Sequence, residues 1–242
     1  MRLDEYKALT FDCYGTLIDW ESGMIEGLSG LTSRVKGLTR DQILEAHARH
    51  ESAQQAQTPT RLYRDLLPIV YKRLAEEWGV SVTIDECEDY GLSVRDWPAF
   101  PDSAGALQYL KKYYKLIILS NVDNRTFSFS NAKLEVEFDA IYSAEDIGAY
   151  KPSDRNFDYM LDHIGDLGLE KKDILHTAES MFHDHQPANK YGLASCWIYR
   201  RHEQKGFGAT MNPGDMPKYD FRFTSMAELA QAHQENLRSG GG

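Results

Sequence analysis

The chain has 242 residues, and 37 acidic against 27 basic side chains give a formal net charge of −10. Its 42% hydrophobic and 12% aromatic content is enough to bury a core, which excludes global disorder. No Lys/Arg run exceeds three residues, so a nucleic-acid footprint is missing, and no apolar run approaches the roughly 20 residues that span a bilayer.

Cys13, Cys87 and Cys196 are widely spaced, with no Cys-x-x-Cys pair. That is neither a disulfide framework nor a zinc pattern, and reduced thiols in the cytoplasm are expected. The N-terminus lacks the charged-then-apolar pattern of a secretory signal.

In chain order, apolar β-rich runs are predicted as strands at Ala8–Phe11, Leu116–Leu119, Ala140–Tyr142, Ile174–Thr177, Ser195–Tyr199 and Phe221–Phe223. Amphipathic stretches such as Ser103–Tyr113 and Arg155–Ile164 separate most of them. Asp102-Ser103 is a predicted helix start and Gly192 a helix stop. Strands alternating with helices predict a parallel sheet with helices on both faces. Between the first two strands the helical period dominates, over Asp41–Gln55, Thr60–Trp78 and Ile84–Val94. The expected architecture is an α/β, Rossmann-like core (1–19 and 98–238) with an inserted helical subdomain (20–97). Ser239 to Gly242 reads as a disordered tail.

The first strand ends on Asp12, followed by a glycine turn: Phe11-Asp12-Cys13-Tyr14-Gly15-Thr16-Leu17. The carboxyl ends of strands are where an open α/β sheet binds ligands. Two residues on, where an enzyme expelling an alkoxide wants a proton donor, stands the phenol of Tyr14. Strand alternation turns Cys13 away from Asp12, so it is not expected to be a catalytic thiol.

Three further segments lie at predicted strand ends: Leu119-Ser120-Asn121, Tyr150-Lys151-Pro152, and Glu179 to Asp184. With Asp12 to Thr16 they match, in order, the four loops of the haloacid dehalogenase superfamily, which the whole chain resembles. The form Phe-Asp-x-Tyr-Gly-Thr-Leu is similar to that of its dehalogenase branch. The resemblance implies a helical cap over the first loop and a nucleophilic Asp12. Lys151 would keep Asp12 ionised, Thr16 would hydrogen-bond its carboxylate, and Asp184 would order Lys151 or a water. Ser120 and Asn121 would hold a substrate carboxylate. Arg49 is the nearest candidate for the cap arginine over a leaving halide. Tyr14, Trp20, Tyr150, Trp97 and Phe100 are candidates for an apolar wall, the last two also for simple core at a hinge. No cofactor or metal is required, and the partner is a small carboxylate. Dimers are common in the family, although the sequence shows no subunit interface.

Three residues depart from the dehalogenase pattern. Glu179 and Met181 stand where dehalogenases carry serine and asparagine, and Phe157 replaces a tyrosine. Glu179 and Asp184 have nearly the spacing of the Mg²⁺-holding carboxylates of the phosphatase branch, which keeps a phosphatase as an alternative. His183 and His185 flank Asp184, but neighbours two apart on a helix point apart, so helix-surface or loop hydrogen bonding is expected of them rather than a metal.

The stretch from Phe11 to Glu21, with Arg49-His50-Glu51, His176 to Ser180, His183-Asp184-His185 and Asp220 to Phe223, is more narrowly similar to L-azetidine-2-carboxylate hydrolases. These are dehalogenase relatives that open a four-membered amino-acid ring. A protonated ring nitrogen leaves as a neutral amine, so Tyr14 in place of an acid suits it as well as it suits a halide. On that reading Glu179 would face the ammonium. An (S)-2-haloacid is the second substrate expected.

Overall fold

The computed structural model describes residues 2–240. Six strands, β1 (Ala8–Phe11), β2 (Lys115–Ser120), β3 (Ala140–Ser143), β4 (Ile174–Ala178), β5 (Ala194–Ile198) and β6 (Phe221–Phe223), form one parallel sheet in the order β3-β2-β1-β4-β5-β6. All six predicted strands are present, shifted at their ends by no more than a residue or so. β1 and β4 are buried along their whole length, as expected of strands covered on both faces. The order reverses at β1, with β2 on one side and β4 on the other, so the ligand crevice is expected above their carboxyl ends.

Between β1 and β2 the chain forms α1 (Trp20–Gly27), α2 (Ser29–Thr32), α3 (Arg40–Gln57), α4 (Tyr63–Glu77) and α5 (Ile84–Leu92). α3 and α5 start on reciprocal capping boxes, Thr39 with Gln42 and Thr83 with Glu86. α4 begins three residues later than its apolar period suggests, because Leu62 is extended. Pro68 lies within it and leaves the Arg64 carbonyl without its helical donor. Gly91 of α5 packs there: a Cβ at that position would sit 2.5 Å from the Arg64 oxygen.

The chain leaves and re-enters the sheet layer along one double track. Asp19 N–H donates to Pro98 O at 2.8 Å and Phe100 N–H to Leu17 O at 3.0 Å. Trp97 is fully buried beside this track. Beyond it lie α6 (Ser103–Leu110), α7 (Asn124–Leu134), α8 (Ala144–Ile147), α9 (Asp154–His163), α10 (Gln186–Tyr191) and α11 (Met226–Gly240). Asp102 precedes α6 without capping it; its carboxylate instead takes the Arg200 guanidinium at 2.9 and 3.0 Å. Gly192 ends α10 in the left-handed conformation, as expected. The predicted disordered tail is corrected at Ser239 and Gly240, which belong to α11; residues 241–242 lie outside the described residues. Among the described residues no helix is long and apolar enough to cross a membrane.

Candidate active site

The strand register sets Phe11 beside Ile118 on one side and Thr177 on the other, so the residues that follow β1, β2 and β4 meet above the sheet. Asp12 is the first residue beyond β1. Behind it the chain turns tightly: the Cys13 carbonyl accepts from Leu17 and Ile18 N–H at 2.8 and 3.0 Å. Gly15 has φ +93, and a Cβ there would lie 2.8 Å from Trp20 Nε1, so both the turn and the packing of Trp20 require glycine. Thr16 Oγ1 donates to Asp12 Oδ2 at 2.7 Å and accepts the Glu179 N–H at 2.9 Å, tying the first loop to the fourth. Cys13 is buried in the core, as expected, and burial pushes its thiol well above the usual range.

Lys151 is 1% exposed. Its three N–H groups are all used, on Asp12 Oδ1 (2.9 Å), Asp184 Oδ1 (2.7 Å) and the Leu119 carbonyl (2.8 Å). His176 Nε2 donates to the same Asp184 oxygen at 3.0 Å, and its Nδ1 pairs with the Thr10 hydroxyl at 2.8 Å. Burial disfavours the charge on Lys151, but Asp12 and Asp184 outweigh it and raise the lysine pKa. Burial likewise opposes ionisation of Asp184, but Lys151 and His176 hold its carboxyl well below the usual carboxylate range. Asp12 is pushed the other way, by burial that Lys151 only partly offsets and by the charge of Asp184. Asp184 is therefore the firmly ionised carboxylate and Asp12 the more basic one.

These groups open into a cavity. Its floor carries Asp12, Ser120, Lys151, His183 and Asp184; Tyr14 and Trp20 flank it, and α3 and α4 supply Glu51, Gln55 and Tyr63. The Tyr14 hydroxyl is held by Ser130 Oγ at 2.9 Å. Among the described residues no arginine lines the cavity. Glu51 is 6% exposed, and burial pushes its carboxyl up to about 7. Its neighbours include Gln55 Nε2 at 3.3 Å, the buried, neutral His47 ring at 3.5 Å and the Tyr63 hydroxyl, which partly offsets that rise.

A family model described as haloacid dehalogenase-like hydrolase matches residues 6–177. The chain belongs to the haloacid dehalogenase-like hydrolases. Its curated relatives include an (S)-2-haloacid dehalogenase of Pseudomonas sp. (strain YL), 28% identical over 82% of this chain and 84% of the relative. Another is the (S)-2-haloacid dehalogenase 4A of Burkholderia cepacia, 24% identical over 94% of each. Among solved structures, the L-2-haloacid dehalogenase of Xanthobacter autotrophicus with chloropropionic acid covalently bound superposes with a TM-score of 0.74 at 18% identity. That match covers 95% of this chain and 98% of the other.

In this hydrolase Asp12, Lys151, Asp184, Tyr14, Trp20 and Ser120 converge on one cavity, with Thr16 buried behind Asp12 and bonded to its carboxylate. Four expected site residues do not act as anticipated. Arg49 is on the outer face of α3, its guanidinium more than half exposed and paired with Glu77 at 3.0 Å. Asn121 borders the cavity, but its amide is engaged by the Lys151 backbone, accepting N–H at 2.6 Å and donating to O at 3.0 Å, so it clamps the lysine loop. Tyr150 faces an adjoining groove and donates to the Arg61 carbonyl. Glu179 turns into a second cavity with Glu21, Arg200 and Arg201, behind Trp20. Glu179 and Asp184 thus line different cavities. Among the described residues no cluster of three His, Cys, Asp or Glu side chains is arranged to hold a metal.

His185 is not on a helix surface. It is buried, donating to the Ala178 carbonyl at 3.0 Å and bonded to Ser195 Oγ at 3.1 Å. Trp97 is core, and Phe100 packs under the Arg200 guanidinium at 4.0 Å, outside the site. His176, Glu51, Gln55, Tyr63 and His183 join the site without having been assigned roles.

Proposed function

We propose that the hydrolase acts through Asp12 at C2 of a small 2-substituted carboxylate, and that its substrate is L-azetidine-2-carboxylate. Glu51 carries the choice of leaving group. A departing halide calls for a cation, yet the helical wall offers a carboxyl group and no arginine. A buried carboxyl that ionises near neutrality suits a protonated ring nitrogen, whose charge would draw its pKa down. Glu51 thus takes the part expected of Glu179.

The steps balance. Asp12 Oδ attacks C2; the C2–N bond breaks, relieving ring strain, and the nitrogen keeps its two protons as a neutral primary amine. Tyr14, bound to Ser130, need not act as an acid. Water then adds to the aspartyl ester, the C2–O bond stays with the product, and Asp12 is regenerated. The proton released in hydrolysis matches the one the amine takes up, giving 2-hydroxy-4-aminobutyrate. The helical segment 20–97 serves as the cap that keeps bulk water from the ester. Asp184, ionised and with Oδ2 free of any protein partner, is suited to orient the hydrolytic water.

The second reading is an (S)-2-haloacid, favoured by the two dehalogenase relatives. Metal-free assays of purified protein with L-azetidine-2-carboxylate and (S)-2-chloropropionate, side by side, decide between them. Ring opening without chloride release supports the first reading, and chloride release alone overturns it. Turnover of either in ¹⁸O-water must place label in the Asp12 carboxylate.

A further inference from the structure

A substrate carboxylate needs hydrogen-bond donors, and the Lys151 and Asn121 side chains are already engaged within the protein. Lys151 has no N–H left after Asp12, Asp184 and Leu119 O. The Asn121 amide holds the Lys151 backbone at both ends, and among the described residues no arginine lines the cavity. Two of the polar side chains there keep an atom without a protein partner among the described residues. Ser120 is 1% exposed, and its Oγ has no protein partner. The other is His183.

The fourth loop forms a π-helical turn at Met181–His185, the kind of widened turn often found at functional sites. It brings both His183 and Asp184 to the cavity and sends His185 to the sheet. Ser180, 4% exposed, fixes the imidazole. Its Oγ accepts the His183 backbone N–H at 3.0 Å and lies 3.1 Å from His183 Nδ1. The buried hydroxyl has a proton to place, and Nδ1 is the protein acceptor within reach. Nδ1 therefore accepts, and the tautomer that remains carries its proton on Nε2. Nε2 has no protein partner among the described residues. Burial also pushes the imidazole pKa down to about 4, so the ring is neutral at physiological pH.

We propose that His183 is a substrate-binding residue, whose Nε2–H and the Ser120 hydroxyl together hold the substrate carboxylate above Asp12. This rests on the reading that Asp12 attacks C2 of a carboxylate, and is independent of which group leaves. The arrangement presents C2 to Asp12 while leaving Lys151 to the two aspartates.

Equilibrium binding of an inert acid tests it. Propionate, which lacks a leaving group, and propanamide, its uncharged counterpart, are titrated by NMR into wild type, His183→Gln and His183→Phe, each first shown to unfold cooperatively. Wild type is expected to bind propionate in preference to the amide. His183→Phe, which keeps the bulk but loses the donor, should weaken propionate about tenfold or more. His183→Gln, which restores an N–H, should stay within about threefold. In turnover, His183→Phe should raise KM far more than it lowers kcat. Equal propionate affinity in wild type and His183→Phe, or an equal loss in both variants, overturns the proposal. A wild type that does not prefer the acid to the amide overturns the underlying carboxylate reading, and this inference with it.

Discussion

Lys151 Nζ lies 2.7 Å from Asp184 Oδ1, closer than its 2.9 Å approach to Asp12 Oδ1. The lysine therefore divides its charge unequally between two buried carboxylates, and His176 adds a further donor on the Asp184 side. The result is a division of labour. Asp184 is held ionised, and Asp12 is left the more basic of the two.

That division sets the acid limb of the pH–rate profile. Burial and the Asp184 charge raise the Asp12 pKa, and a protonated Asp12 cannot attack, so kcat/KM should fall as pH drops through a pKa above that of an ordinary aspartate. Asp184→Asn removes one of the charges raising Asp12. The remaining activity of that variant, however small, should have its acid limb displaced to lower pH. An acid limb at the same pH in both proteins would show that Asp12 does not sense Asp184.

Lys151→Met keeps most of the side-chain volume and deletes the charge. It leaves Asp12 and Asp184 buried with no cation between them, which should cost about 3–5 kcal/mol of stability near neutral pH. Urea unfolding at pH 7.5 measures this. The loss should shrink in acid, where one of the two carboxylates takes a proton. Turnover should fall by about 10³-fold or more, because the ester-forming attack loses its charge partner. A fully stable Lys151→Met protein at pH 7.5 would mean that the pair is already uncharged.

The strands were legible because each is a short apolar run bounded by turn residues, and β1, β2 and β4 are buried enough for the run to be nearly continuous. Asp12 was legible for a related reason, because it directly follows such a run and a parallel sheet gathers those ends; Lys151 lies beyond α8 and Asp184 in the π-helical turn after β4, so only the order of the four loops pointed to them. On the helical wall it is Glu51 that faces the cavity, two positions beyond Arg49. The buried positions of α3 include Ile43, Leu44, His47, Glu51 and Gln55, a four-residue rhythm that contains Glu51 and leaves Arg49 on the opposite face. The polar residues on that inward stripe were the available signal. The direction of Glu179 had none, since it depends on Thr16 capturing the Glu179 N–H from a loop 163 residues away in sequence.

Glu51→Gln separates recognition from stability. The folded carboxyl titrates at about 7, against a reference of 4.5, so the folded state holds a proton that the unfolded state has lost. Wild-type stability therefore falls as pH rises between those values and stays low above about pH 7. The amide removes this penalty. Glu51→Gln should exceed wild type by on the order of 3 kcal/mol above pH 7, and the difference should vanish below pH 4.5. With azetidine substrate its kcat/KM should drop by about 10- to 100-fold, whereas any activity toward (S)-2-chloropropionate should hold or improve. A loss shared equally by both substrates would remove Glu51 from leaving-group recognition.

Glu179→Gln is the matching control, because the two glutamates make opposite predictions. Burial, Glu21 and Asp12 push the Glu179 carboxyl up to about 8, so it is mainly protonated at neutral pH and a weak partner for an ammonium. It also lies in the cavity behind Trp20 rather than in the one that Asp12 faces. Replacing it should leave KM for L-azetidine-2-carboxylate within about twofold of wild type. Its effect should appear in unfolding experiments instead: the folded pKa is raised, so wild-type stability declines as pH rises toward 8, and the glutamine variant should lack that decline. A large KM increase in Glu179→Gln, with Glu51→Gln unaffected, would return the ammonium to the fourth loop and require Trp20 to move aside when substrate binds.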